Sequence, residues 1–326
     1  MTELKRHAPT IPVVDMGAAN AASQIAAAIA KACREDGFFY LTGHGIAPEK
    51  IAATFKAIKR FFGQPLEEKN QYHIRHSHPH QRGYVPIFEE NLGDGEEADH
   101  KESFDLGVDL AADHPDVLAG KPFSAPNVWP DTPSFKDVIE DYHQEMIDLG
   151  HLLVRLTAIG LNLDEDYFDD AMREPVANLR LLHYPASKKG SNIVGCGPHS
   201  DYGFMTVLAQ EGVGGLEVEG ENGTWIPVEP MPGALVVNLG DLLTRWTGGV
   251  YRARRHRVAD TGEQERYSIP FFLDPNVDAI IDVVPTCRDR IQGYAPAPIS
   301  AGAYLQSRFD DTFSYRENSS PLLGKA

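Results

Sequence analysis

Hydrophobic positions change their period repeatedly along this chain. IPVVDM (Ile11–Met16) is a short apolar run of strand type. From Ala21 to Arg34, Ile25, Ala28, Ile29 and Ala32 recur at helical spacing, and Gly37 closes the stretch. FFYLTGHG (Phe38–Gly45) then reads as a strand entering a turn. Pro48 to Phe62 places Ile51, Phe55, Ile58 and Phe62 along one helix face. No period is sustained from His73 to about Asp131, a stretch rich in His, Pro, Gly and acids. A long helix is predicted from Ser134 to about Leu161, carrying Val138, Tyr142, Met146, Leu149 and Leu153.

After Pro175 the pattern shortens into runs divided by turn residues: NLRLLHYP, GFMTVLAQ, GGLEVEG, TWIPVEP, ALVVNLGD, RARRHRVA and RYSIPFFLDP. Such runs, at roughly ten-residue spacing, predict a β-sandwich or barrel. Ser300 to Arg308 returns to a helical pattern. The expected architecture is mainly β with flanking helices. It forms a single unit over 1–326, with an N-terminal α/β region at 8–130, a β core at 176–280 and a C-terminal helical segment at 281–326.

Composition narrows the function. With 42% hydrophobic and 24% charged residues, the 326-residue chain has the material for a substantial core. Its formal charge of −17 argues against nucleic acid or an anionic membrane surface as partner. No stretch has signal-peptide or membrane-span character, so a cytoplasmic setting is the default expectation. Oligomeric state is not legible. Cys33, Cys196 and Cys287 are too few and too scattered for a disulfide framework, and Cys196 reads as a buried bystander near His199.

Thirteen histidines offer several candidate sites. The densest group, His73, His76, His78 and His80 in HIRHSHPHQ, sits in a polar, proline-interrupted stretch and reads as a solvated loop. GPHSDYGF, in the β-rich half, is different. His199 and Asp201 are two positions apart and would share one side of a strand, with Ser200 pointing away. RARRHRVA supplies His256 on another strand. Two imidazoles and one carboxylate suit non-haem Fe(II), which needs open positions for a co-substrate and O₂. A zinc hydrolase uses a similar set with one open position. RYSIPFFLDP favours the first reading. Arg266 and Ser268 share a strand face and form a receptor for a carboxylate. An arginine in so apolar a run would otherwise be buried without a partner.

HSD at 199–201, His256 and RYS at 266–268 resemble the isopenicillin N synthase-like branch of the 2-oxoglutarate/Fe(II)-dependent dioxygenases. So do IPVVDM, GFFYLTGHGI, RGYVP, KESFDLG, DYGFMTVLAQEGVGGLEV, VVNLGDLLTRWTGG and ISAGAYL. The resemblance implies a double-stranded β-helix (jelly-roll) core wrapped by N- and C-terminal α-helices. It implies His199, Asp201 and His256 as iron ligands, with Arg266, Ser268 and Tyr184 holding 2-oxoglutarate. Many relatives carry Asn two positions before that tyrosine; here Leu182 stands there. The implied reaction oxidises a small-molecule substrate with O₂, most simply by hydroxylation, and releases succinate and CO₂.

On the substrate side, relatives point to Arg82, Tyr84 and Phe272. Strand alternation would add Arg254, on one face with Arg252 and His256, to recognise an anionic substrate or a local acid. Two other readings use the same residues: an oxidase or cyclase that takes another 2-oxoacid or none, and a non-catalytic iron-binding sensor.

Overall fold

The computed structural model describes residues 11–17, 20–77, 80–92, 99–188, 193–291 and 296–312. Its N-terminal half contains β1 (Val13–Asp15), α1 (Ala22–Glu35), β2 (Phe38–Thr42), α2 (Pro48–Phe62), α3 (Leu66–Asn70), β3 (Gly83–Val85), β4 (Glu102–Leu106), α4 (Pro115–Leu118) and α5 (Phe135–Gly160). The β-rich half contains β5 (Val176–Tyr184), β6 (Cys196–His199), β7 (Met205–Gln210), β8 (Leu216–Glu219), β9 (Trp225–Pro227), β10 (Leu235–Leu239), α6 (Asp241–Trp246), β11 (His256–Val258) and β12 (Arg266–Asp274). A small hairpin of β13 (Ile280–Ile281) and β14 (Ile299–Ser300) precedes α7 (Ala301–Thr312).

The predicted helices form where apolar residues recur every three to four positions. α1 buries Ile25, Ala26, Ile29 and Ala30, and α2 starts at Pro48 in the first turn, where its missing N–H costs nothing. Both pack on α5. No helix among the described residues is long and apolar enough to cross a membrane.

Eight strands form one sheet in the order β1-β2-β10-β7-β12-β5-β4-β3, and four form a second in the order β6-β11-β8-β9. The sheets face each other with a cavity between them, giving the jelly-roll sandwich. Alternation along the large sheet explains why its strands read as nearly continuous apolar runs: both faces are buried. Odd positions such as Leu179, Val207, Val237, Ile269 and Phe271 join the core shared with the helices. Even positions turn into the cavity, and register aligns them, with Arg266 opposite Tyr184, Ser268 opposite Leu182 and Phe272 opposite Asn178.

The stretch from His73 to about Asp131, which shows no period, nevertheless supplies β3 and β4. β4 is buried along its whole length although it holds Glu102 and Asp105, with buried Lys101 just before it. Its charges are paired inside the protein, so no polar face marks it as a strand.

Candidate active site

The antiparallel pairing of β6 with β11 sets His199 directly opposite His256. Asp201 lies two residues beyond β6, in a loop rather than on the strand expected from the spacing. The turn after β10 holds that loop: Asp241 N donates to Asp201 O at 2.8 Å, and Leu242 N to Gly203 O at 3.0 Å. Only glycine fits this crossing. A Cβ on Gly240 would meet Gly203 O at 2.1 Å, and one on Gly203 would meet Asp274 Oδ1 at 1.5 Å. The NLGD sequence (Asn238–Asp241) thus positions the loop that carries Asp201.

His199, Asp201 and His256 bring one possible ligand atom each to within 4.8 Å of one another. His199 Nε2 is 3.7 Å and His256 Nε2 3.6 Å from Asp201 Oδ1. The opposite atom of each side chain is already engaged. His199 Nδ1 donates to Gly197 O (2.8 Å) and His256 Nδ1 to Arg254 O (3.3 Å), which fixes both tautomers with Nε2 as the free lone pair. Asp201 Oδ2 accepts from Asn238 Nδ2 (2.5 Å) and Thr206 Oγ1, leaving Oδ1 for the shared point.

Electrostatics agree with a cation between these groups. Burial and then the neighbouring His256 push His199 down to about 4, so its imidazole is neutral. Burial would raise Asp201, but His256, His199 and the Thr206 and Asn238 hydrogen bonds hold its carboxyl low. Burial raises the Cys196 thiol, and its Sγ sits 3.8 Å from His199 Nδ1, behind the ring nitrogen that faces the cluster. The bystander reading of Cys196 fits this placement.

Next to the triad, Arg266 is 1% exposed. It donates to Ser268 Oγ (2.9 Å) and Gln210 Oε1 (3.1 Å), and its guanidinium lies 4.8 Å over the Tyr184 ring. Its Nε has no partner, and no carboxylate pairs with it among the described residues. Burial depresses its pKa. A buried cation without an acid is costly, and a bound dicarboxylate would supply the missing anion. The donor set therefore fits both Fe(II) and 2-oxoglutarate.

Comparison with known proteins gives the same family. Residues 11–132 match the model of the non-haem dioxygenase in morphine synthesis N-terminal domain, and residues 175–275 that of the 2OG-Fe(II) oxygenase superfamily. A 2-oxoglutarate-dependent dioxygenase, tropC, of Talaromyces stipitatus is 38% identical over 93% of this chain and 95% of its own. The chain belongs to the 2-oxoglutarate–Fe(II) oxygenase superfamily. A putative family member from Caulobacter crescentus superposes with a TM-score of 0.81 at 31% identity, covering 92% of this chain and 99% of that one. Neurospora crassa T7H in complex with 2-oxoglutarate and thymine gives 0.79 at 29% identity, with 92% and 96% covered. This oxygenase is accordingly an oxidoreductase that uses Fe(II), 2-oxoglutarate and O₂ on a small molecule.

The structure sorts the expected substrate residues. Phe272 lines the cavity beside His199 and Asp201. Arg82 does not: it is 1% exposed, and its two Nη groups donate to His80 O, Gln81 O and Phe123 O, with Asn178 Oδ1 at 3.4 Å. Gly107 makes room for it, since a Cβ there would meet Arg82 Nη2 at 2.0 Å. Tyr84 faces the other side of the sheet and donates to Glu102 Oε2 at 2.5 Å. Arg254 also stays outside. Residues 252–255 are not in a strand, so alternation does not govern them. Its guanidinium donates to Glu35 O (3.0 Å) in a surface groove with Asp36 and Thr224. Only the Arg254 carbonyl serves the site, through His256. Ser200, expected to point away, lines the cavity and donates to Asp241 Oδ2 (3.0 Å).

Of the histidine-rich stretch, His78 lies outside the described residues. His73 Nε2 is 2.9 Å from Glu89, and the stretch contributes nothing to a metal-type cluster among the described residues.

Sequence reasoning missed the cavity's far wall. Arg180 meets Asp105 through Nε (2.6 Å) and Nη2 (2.9 Å), and Glu90 through Nη1 (2.8 Å). Lys101 Nζ lies 2.9 Å from Glu90 and also contacts Asp99, which accepts from Gly197 N (2.8 Å) just before His199. Against burial, Arg180 and Lys101 hold Glu90 down to about 2. At Asp105 burial outweighs the pull of Arg180 and raises the carboxyl, yet the two-pronged contact with Arg180 calls for the carboxylate form. Burial and the nearby Asp201 push Asp274 up to about 7.

Proposed function

We propose that His199, Asp201 and His256 hold Fe(II), that Arg266 and Ser268 bind the distal carboxylate of 2-oxoglutarate, and that Tyr184 packs against the same ligand. The reaction is hydroxylation of a C–H bond in a small metabolite seated against Phe272. Arg266 carries the assignment: a fully buried guanidinium at the start of β12, with an unpartnered Nε and no acid against it among the described residues.

Iron with 2-oxoglutarate and O₂ supplies the oxidising power, with succinate and CO₂ as co-products. This chain supplies placement. Gly197 O and Arg254 O orient the two imidazoles, and Thr206 and Asn238 fix which Asp201 oxygen faces the metal. Arg266, held by Ser268 and Gln210, sets the reach of the dicarboxylate. Leu208, Leu216 and Val258 line the same space and exclude water around it. The thymine complex of the Neurospora neighbour supports a metabolite-sized substrate.

The test is succinate release from the intact protein with Fe(II), set against a panel of 2-oxoacids and metabolites. Wild type should prefer 2-oxoglutarate, and Asp201→Ala should fall to background. Full activity in that variant would refute the ligand assignment. Preference for a different 2-oxoacid would point to the oxidase reading instead.

A further inference from the structure

Beyond the triad, the cavity is bounded by Gln81, Asn178, Arg180, Phe272, Asp274 and Leu305. Its cations are already committed. Arg180 and Lys101 are surrounded by three carboxylates, those of Asp105, Glu90 and Asp99, at 2.6 to 2.9 Å where both Arg180 and the Lys101–Glu90 contact are concerned. Among the described residues that line the cavity, no positive charge is left over to receive a carboxylate substrate, and the cluster carries one excess negative charge.

Two groups on the same wall are not committed. Asp274 is 4% exposed and accepts a single hydrogen bond, from Phe204 N to Oδ1 (2.7 Å). No cation pairs with it among the described residues, and Oδ2 is left for a further donor. Gln81 is also 4% exposed, and its Nε2 donor has no partner. A buried donor and a buried carboxylate oxygen that the protein leaves unmet are costly unless a ligand meets them.

We propose that the substrate of this site is an uncharged or cationic nitrogen compound, not a carboxylate, and that Asp274 accepts its N–H while Gln81 donates to a carbonyl or hydroxyl on it. The proposal rests on the iron and 2-oxoglutarate assignment above and deepens it. Asp274 and Phe272 are two apart on β12, so the same strand face that presents the apolar ring also presents the acceptor. Arg180 serves as a neutralised wall. A carboxylate placed here would face Asp274 and an excess of acid with no free cation in return.

Benzamide, benzylamine and benzoate are matched in size and differ in head group. Their binding to the full chain loaded with Fe(II) and 2-oxoglutarate, without O₂, can be read by ligand-observed NMR. Benzamide and benzylammonium should bind, with benzoate weaker by about tenfold or more. Asp274→Asn keeps an oxygen for Phe204 N but removes the charge. It should weaken benzylammonium by about tenfold or more and narrow the gap to benzoate. Gln81→Leu should weaken benzamide and spare benzylammonium. The visible absorption that marks chelation of Fe(II) by 2-oxoglutarate should be the same in wild type and both variants. Its absence from wild type would defeat the cofactor assignment rather than the substrate class. The substrate class is overturned if benzoate binds as tightly as benzamide, if neither nitrogen compound binds, or if Asp274→Asn leaves the order unchanged.

Discussion

At one end of β12, Arg266 is a buried cation with no acid against it among the described residues; along the same cavity, Arg180 and Lys101 share three carboxylates. Both arginines are charged and on the same side of one sheet, Arg266 buried and Arg180 nearly so. Arg180 is satisfied by its own protein and so contributes to the fold. In the proposed function Arg266 is satisfied from outside and so contributes to binding. The number of charges in a pocket therefore says less about its ligand than which of them the protein has already matched.

The sharpest way to break this contrast is to remove each cation in turn. Arg180→Met strands Asp105 and leaves Glu90 with Lys101 alone, and should cost about 3–5 kcal/mol in denaturant unfolding. Arg266→Met should behave in the opposite way. Without ligand its unfolding midpoint should hold or rise, because an unpaired buried charge is gone, while the affinity for 2-oxoglutarate drops by roughly 30-fold or more. Equal losses of stability in both variants would erase the distinction.

A smaller effect sharpens it at the substrate end. The Asp274 carboxyl lies at about 7 in the fold, above its ordinary 3.8. Protonation of Asp274 therefore favours the folded state. The contribution is complete below about pH 4 and is lost as the pH rises towards 7, with a slope of at most about 1.4 kcal/mol per pH unit. Asp274→Asn should flatten this part of the stability profile. An unchanged slope would mean that Asp274 is ionised in the fold and already matched.

The metal triad and the buried Arg266–Ser268 pair proposed as the anchor were legible in the sequence because each is a local pattern on a strand or at its end: HSD, a later histidine, and R-x-S inside an apolar run. The helices and the β-rich half were legible for the same reason, since their periods are unbroken. The substrate wall was not. Its charges lie on β4 and at isolated positions 90, 180 and 274, and pairing across strands leaves no trace in spacing. Arg254 was misplaced by applying strand alternation to residues that form no strand. Arg82 and Tyr84 sit in a motif shared with relatives, yet here the first braces the loops and Asn178 and the second bonds Glu102 on the reverse face.

The even positions of β12 run from Arg266 and Ser268 through Phe272 to Asp274, so one strand of nine residues carries both the proposed co-substrate anchor and the proposed substrate wall. That arrangement separates what can vary from what cannot. On the proposed assignment, replacements at 272 and 274 retune substrate choice while 266 and 268, centred roughly 20 Å of strand away, keep the oxidising chemistry intact. Insertion of a single residue between them would do the reverse of retuning. It would turn the whole substrate half towards the helices and leave a protein that binds its co-substrate but has no partner reaction to give it. New specificities in this scaffold are thus open to point substitution and closed to changes of length.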